Sequence, residues 1–251
     1  ANVRDLVSGL ADQRFAASAL RTQTLEGLRG PQADVAYAIE TGQCAAGAPT
    51  TRWATFAPAG MVLAPFSIPG SRASANPRAV RDRTQALTRL ASDVDAAIVT
   101  LLADAIHDAS GRIHREWGEA DAAGLLDGLE PLSPAASREK AEAAVDGWHG
   151  EVDRLLDAER EKVGALASLA EAPGIAALVV AAVGGVGGAA TAVSHFLSDD
   201  VTRLARESLL AAARQSIGST AEPYLKALRA VPDAEAESGL AALAARLEEA
   251  S

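Results

Sequence analysis

This 251-residue chain has one cysteine, one methionine, three lysines and only 4% aromatic residues. The lone Cys44 excludes an internal disulfide and a cysteine-based zinc cluster, and it suits a reducing compartment. Aromatic and β-branched residues are scarce while Ala, Leu, Arg and Glu abound, so helix is favoured over strand and an all-α fold is expected. The chain also lacks a basic surplus. Its formal net charge is −10. Residues 1–120 are balanced and all of the acidic excess falls in residues 121–251, so no nucleic-acid partner is expected.

Catalytic patterns are missing as well. A phosphate-binding loop needs glycines followed by Lys and then Ser or Thr, but Lys140, Lys162 and Lys226 stand in "EKA", "EKV" and "LKA". No serine has a matching His/Asp arrangement or a strand-to-helix elbow. His107 and His114 lie two turns apart on one helix, near Asp104 and Asp108, about 10.5 Å apart along the axis and too distant to share an ion unaided. Surface or packing roles are read for these two and for His149 and His195. No catalytic, cofactor-binding or metal residue is assigned. The basic stretch Arg72, Arg78, Arg81, Arg83 and Arg89 reads first as a solvated helix start, and second as a contact for anionic headgroups or a partner.

Periodicity predicts an elongated bundle of three to four long helices. Val3, Leu6, Leu10, Phe15, Leu20, Leu25 and Leu28 draw a first amphipathic helix ended by "RGP", with a second short helix over 32–41. The opening residues read as the inside of a helix, so an upstream region is expected. Residues 42–77 are rich in Pro and Gly yet carry Trp53, Phe56, Met61, Val62, Leu63, Phe66 and Ile68, and are read as a docked loop.

A long helix follows from Pro77 to Trp117, with Val80, Leu87, Leu90, Val94, Ile98, Leu101, Leu102, Ile106, Ile113 and Trp117 as its stripe. Ser133–Pro134 starts another, reaching about Leu169, with Ala141, Val145, Trp148, Val152, Leu155, Leu156 and Val163 inward. Ser198 opens a returning helix whose seam runs from Arg206 through Leu210, Ala213, Ile217, Ala221, Tyr224, Leu228 and Val231. Pro223 must kink or restart it, and "STAE" at 219–222 resembles a capping box. A last short helix over 234–250 carries Leu240, Leu243 and Leu247. The organisation is therefore stalk helices over 1–171, an apolar element over 172–198 and returning stalk helices over 199–251.

The apolar element stands out most. From Ala172 to Ser198 no Asp, Glu, Lys or Arg occurs in 27 residues. As one straight helix it would reach about 40 Å against a hydrocarbon core of roughly 30 Å. Ile175, Leu178, Val179, Val180, Val183, Val186, Val193 and Phe196 would contribute only about −2 to −5 kcal/mol to insertion. Arg160 and Lys162 before the run match Arg203 and Arg206 after it, so both ends suit the same side of a bilayer. Gly184, Gly185, Gly187 and Gly188 form a hinge near the middle. A helical hairpin that dips into one leaflet is the favoured reading; a Gly/Ala hairpin buried in a soluble bundle explains the same letters.

The segments "AVDGWHGEV" at 144–152 and "VTRLARESLL" at 201–210, flanking the Gly/Ala/Val run, resemble the C-terminal helical part of actinobacterial dynamin-like GTPases over roughly residues 75–232. That resemblance implies a membrane-associated coiled-coil stalk at the cytoplasmic face of the cell membrane, peripheral or partly inserted, self-associating through its long helices. It also implies that GTP and magnesium belong to an upstream domain, with this chain transmitting rather than performing hydrolysis. An α-helical pore-forming toxin with a concealed hairpin and a soluble scaffold are the alternatives.

Overall fold

A computed structural model describes residues 3–47, 77–120, 126, 128–162, 172–194 and 197–229. They form α1 (Val3–Glu40), α2 (Pro77–Glu119), α3 (Pro134–Lys162), α4 (Ala172–Val183), α5 (Ala189–Val193) and α6 (Asp199–Gly218). A 3-10 turn at Ser219–Ala221 leads into a last helix, α7, over 222–229. The fold is all-α, a bundle of long helices, with no strand among the described residues. The apolar cluster from Trp53 to Ile68, the side chains of Val3, Leu6, Leu10, Phe15, Val80 and Val163, and Arg72, His195, Phe196, Val231, Leu240, Leu243 and Leu247 lie outside the described set.

The chain divides into two compact units. The first gathers Ala1–Pro31, Ile106–Ser133 and Ile217–Ser251. Its core is Leu20, Thr24 and Leu28 from α1, Ile106, Ile113 and Trp117 from α2, and Ala221, Tyr224 and Leu228 from the C-terminal helical turns. The Trp117 indole N–H donates to Thr24 Oγ1 at 2.8 Å, and the Thr24 hydroxyl donates to the Leu20 carbonyl at 2.7 Å. Two glycines let α1 approach α2 closely: a Cβ at Gly27 would stand 3.2 Å from Ile113, and one at Gly30 3.2 Å from the Arg112 guanidinium.

The second unit gathers Gln32–Ala105 and Pro134–Ser216. Here Val35 and Ile39 of α1, Leu87 to Leu102 of α2, Trp148 and Val152 of α3, and Val201, Ala205 and Leu209 of α6 turn inward. The buried Trp148 indole N–H donates to the Ala205 carbonyl at 2.8 Å and so fixes α3 on α6. Glu159, buried near the end of α3, accepts the Ser198 N–H at 3.4 Å and brings negative charge to the positive end of the α6 dipole.

His149 of α3 meets Asp95 of α2 at 2.9 Å. The hydrogen bond to Asp95 raises the His149 pKa above the usual imidazole range; burial opposes this, and the charges of Asp95, Asp146 and Asp153 reinforce it. Because the folded pKa is the higher one, the pair's stabilisation is complete below the ordinary histidine value and is lost as pH rises through the raised one. With side chains 40% and 24% exposed, the contribution should stay below about 1 kcal/mol. Urea titrations between pH of about 6 and about 8.5 should show that much extra loss in the wild type relative to Asp95→Asn. Equal pH slopes for the two proteins would refute it.

Three sequence expectations need correction. The first helix does not end at "RGP" but runs through a buried Pro31 to Glu40. An interior proline costs about 3 kcal/mol, which burial of Leu28, Val35 and Ile39 at about 1.5–3 kcal/mol each outweighs. Leu25 is 45% exposed while Thr24 takes the inward place, because the stripe Leu20–Thr24–Leu28 advances by fours. The α6 seam enters through Ala205 and Leu209 rather than Arg206 and Leu210, and joins the expected one at Ala213. Pro223 restarts the helix as expected: α6 ends at Gly218, a 3-10 turn covers Ser219–Ala221, and α7 begins at Glu222 with Pro223 in its first turn.

Candidate functional site

The charge-free run folds as a helical hairpin. Helix α4 spans Ala172–Val183, a turn occupies 184–188, and α5 spans Ala189–Val193. The two arms pack on each other, and α4 packs on α3. A Schellman motif ends α4: the Gly185 N–H donates to the Ala182 carbonyl at 3.2 Å and the Val186 N–H to the Ala181 carbonyl at 2.9 Å. That motif needs a left-handed residue at its centre, and Gly185 has φ +82°. Gly188, at φ +80°, starts α5.

The expected membrane-contact residues are all interior where they are described. Leu178, Val179 and Val183 are 0% exposed, Val193 2%, Val180 and Val186 3% and Ile175 7%. Among the expected hinge residues, Gly184 is buried and Gly187 and Gly188 face solvent. The outward positions of α5 are Ala190 and Thr191, so the short arm offers water small residues and a hydroxyl. No helix among the described residues is long and apolar enough to cross a membrane.

The covering is built by this unit's own helices. A Cβ at Gly184 would collide with Val94 of α2 and lie 3.4 Å from the Ala45 Cβ. The turn after α1 supplies a second Schellman end: Gly42 N–H donates to the Ile39 carbonyl at 3.3 Å and Gln43 N–H to the Ala38 carbonyl at 2.7 Å, with Gly42 at φ +67°. Gly42 and Gly185 meet backbone to backbone, and the Ala45 N–H donates to the Gly184 carbonyl at 3.1 Å. Cys44, buried in this turn, has its thiol pushed up to about 11 by burial and is held neutral. In the sequence Gly42 reads only as the start of the Pro/Gly-rich loop over 42–77; a glycine directly after a helical stripe is the signal that marks such an end.

Elsewhere the titratable groups are dispersed. His107 Nδ1 lies 2.9 Å from the Leu132 carbonyl and His114 Nδ1 3.3 Å from the Tyr224 hydroxyl, so the two rings serve different partners. Burial, then repulsion from Glu119 and Glu26, raises the Glu116 pKa. Among the described residues no three His, Cys, Asp or Glu side chains gather as a metal ion would require. Exposed pairs such as Arg138–Glu142 and Arg203–Glu207, both 2.9 Å, follow the helix-surface spacing.

Comparison with protein-family models, with curated proteins and with solved structures returns no match for this chain.

Proposed function

We propose that this chain is a membrane-responsive helical arm that stores an apolar hairpin inside its own bundle and yields it to lipid when the packing around it is opened. The observation that carries this reading is the uncharged α4–α5 hairpin, a two-helix element whose described apolar side chains are 0–7% exposed. Magnitudes favour storage at rest. Seven buried apolar side chains at about 1.5–3 kcal/mol each exceed the roughly 2–5 kcal/mol that insertion would return. Release therefore needs work from outside the hairpin. In the dynamin-like reading, that work comes from GTP turnover in an upstream domain, with the long helices as the lever and self-association as the means of acting together. A soluble scaffold is the second reading, favoured by the close backbone contact between Gly42 and Gly185.

A redox lock separates the two. The 3.4 Å gap from the Ala45 Cβ to a Cβ at Gly184 is close to disulfide geometry. Ala45→Cys/Gly184→Cys therefore creates the lock, with Val94→Ala to make room and Cys44→Ala to prevent mispairing. On anionic phospholipid vesicles, just below the melting transition, the reduced protein should float and the oxidised protein should stay in solution. Equal behaviour of the two forms, whether floating or not, would overturn the stored-hairpin reading.

A further inference from the structure

The geometry points to the Thr41–Gly47 turn as a clasp: two left-handed Schellman ends, one closing α1 and one closing α4, interlock through Gly42 and Gly185, and this contact must part before the hairpin can leave the bundle. The inference rests on the stored-hairpin reading for its purpose but not for its mechanics. Each glycine is needed twice. The left-handed angles of +67° and +82° penalise any side chain, and the contact leaves no room for one. A Cβ at Gly185 would overlap the Gly42 carbonyl and Cα, and one at Gly42 would lie 2.8 Å from the Gly185 Cα.

The same contact places a polar bond in a buried position. The Gly184 carbonyl projects from a buried residue and is satisfied by the Ala45 N–H, Ala45 itself being 1% exposed. Withdrawing the hairpin without moving the turn would strand that acceptor and donor together, so turn and hairpin are coupled in one opening step. By contrast, Gly187 in the same hairpin turn faces solvent and has nothing within 4 Å of an added Cβ. The interlock is thus local to Gly184 and Gly185 rather than a general property of the glycine run.

Cys44, the chain's one cysteine, is 7% exposed within the turn and reports its opening without any engineering. Pulsed reaction with a thiol reagent should quicken by about tenfold or more in Gly185→Ala and stay at the wild-type rate in Gly187→Ala. Hydrogen exchange of the amides from Leu178 to Val186 should accelerate in parallel, while that of Trp117 and its neighbours in the other unit stays unchanged.

Fast thiol reaction with an unchanged hairpin would show turn and hairpin opening separately and overturn the clasp; so would equal rates for the two glycine variants. If Gly185→Ala does not fold, the locked protein decides: oxidation of the Ala45→Cys/Gly184→Cys pair should slow hairpin exchange relative to its own reduced form, and no slowing would refute the inference. These readouts use no lipid. A clasp that opens as expected, in a protein that never floats on vesicles, would leave the clasp standing and remove the membrane reading.

Discussion

Val179→Asp should abolish cooperative folding of the unit that holds the hairpin, whereas Thr191→Asp, twelve residues further along the same uncharged run, should leave stability within about 0.5 kcal/mol of wild type. Val179 is 0% exposed, while Thr191 faces water. A carboxylate at 179 would replace an apolar side chain that is 0% exposed, and even after taking up a proton it would remain a polar group in a buried place. The expected cost exceeds about 4 kcal/mol, a large part of a typical domain's stability.

Urea titration followed by far-ultraviolet circular dichroism measures both variants. A Val179→Asp transition within about 1 kcal/mol of wild type would show that the hairpin is not a structural core. The outcome also governs vesicle experiments. The paired variant Val179→Asp/Val183→Asp confounds lost lipid contact with lost folding, because Val183 too is 0% exposed. The redox lock leaves these side chains intact and avoids that confusion.

The hairpin's covalent plan was readable from residues 172–198: absence of charge set its extent and four glycines set its turn. Its burial was not readable, because Ala, Val and Gly satisfy lipid and a protein interior equally well, and what distinguishes the two is a neighbour far away in sequence. That neighbour is Gly42, which meets Gly185 across the fold. The same limit explains the α1 errors. Pro31 reads as a stop from local sterics, yet contacts formed by Leu28 and Val35 carry the helix through it. Leu25 reads as inward, yet Thr24 takes the inside place, where the Trp117 indole supplies its hydroxyl with a partner. Where the stripe was strongly periodic, as in Leu87, Leu90, Val94, Ile98 and Leu102 of α2, pattern and burial agree. Local sequence thus marks an element's ends and period, and departures occur where a tertiary partner outweighs a local preference.

Trp117→Ala should be the costliest aromatic truncation in the first unit, at about 3–5 kcal/mol. The indole is fully buried and stands edge-on to Tyr224 with ring centroids 5.2 Å apart at 71°. Its loss removes a large packed volume while leaving Thr24 satisfied, because the Thr24 hydroxyl still donates to the Leu20 carbonyl. Thr24→Val works in the opposite way: volume is kept, but the indole N–H loses its acceptor in a site closed to water, costing about 1–3 kcal/mol. Combined, the two changes should cost less than their sum, since a Val at 24 orphans nothing once the indole is gone. The coupling should lie at about 0.5–3 kcal/mol, measured as a double-mutant cycle by urea denaturation. Additivity within about 0.3 kcal/mol would mean that the Trp117–Thr24 hydrogen bond does not contribute.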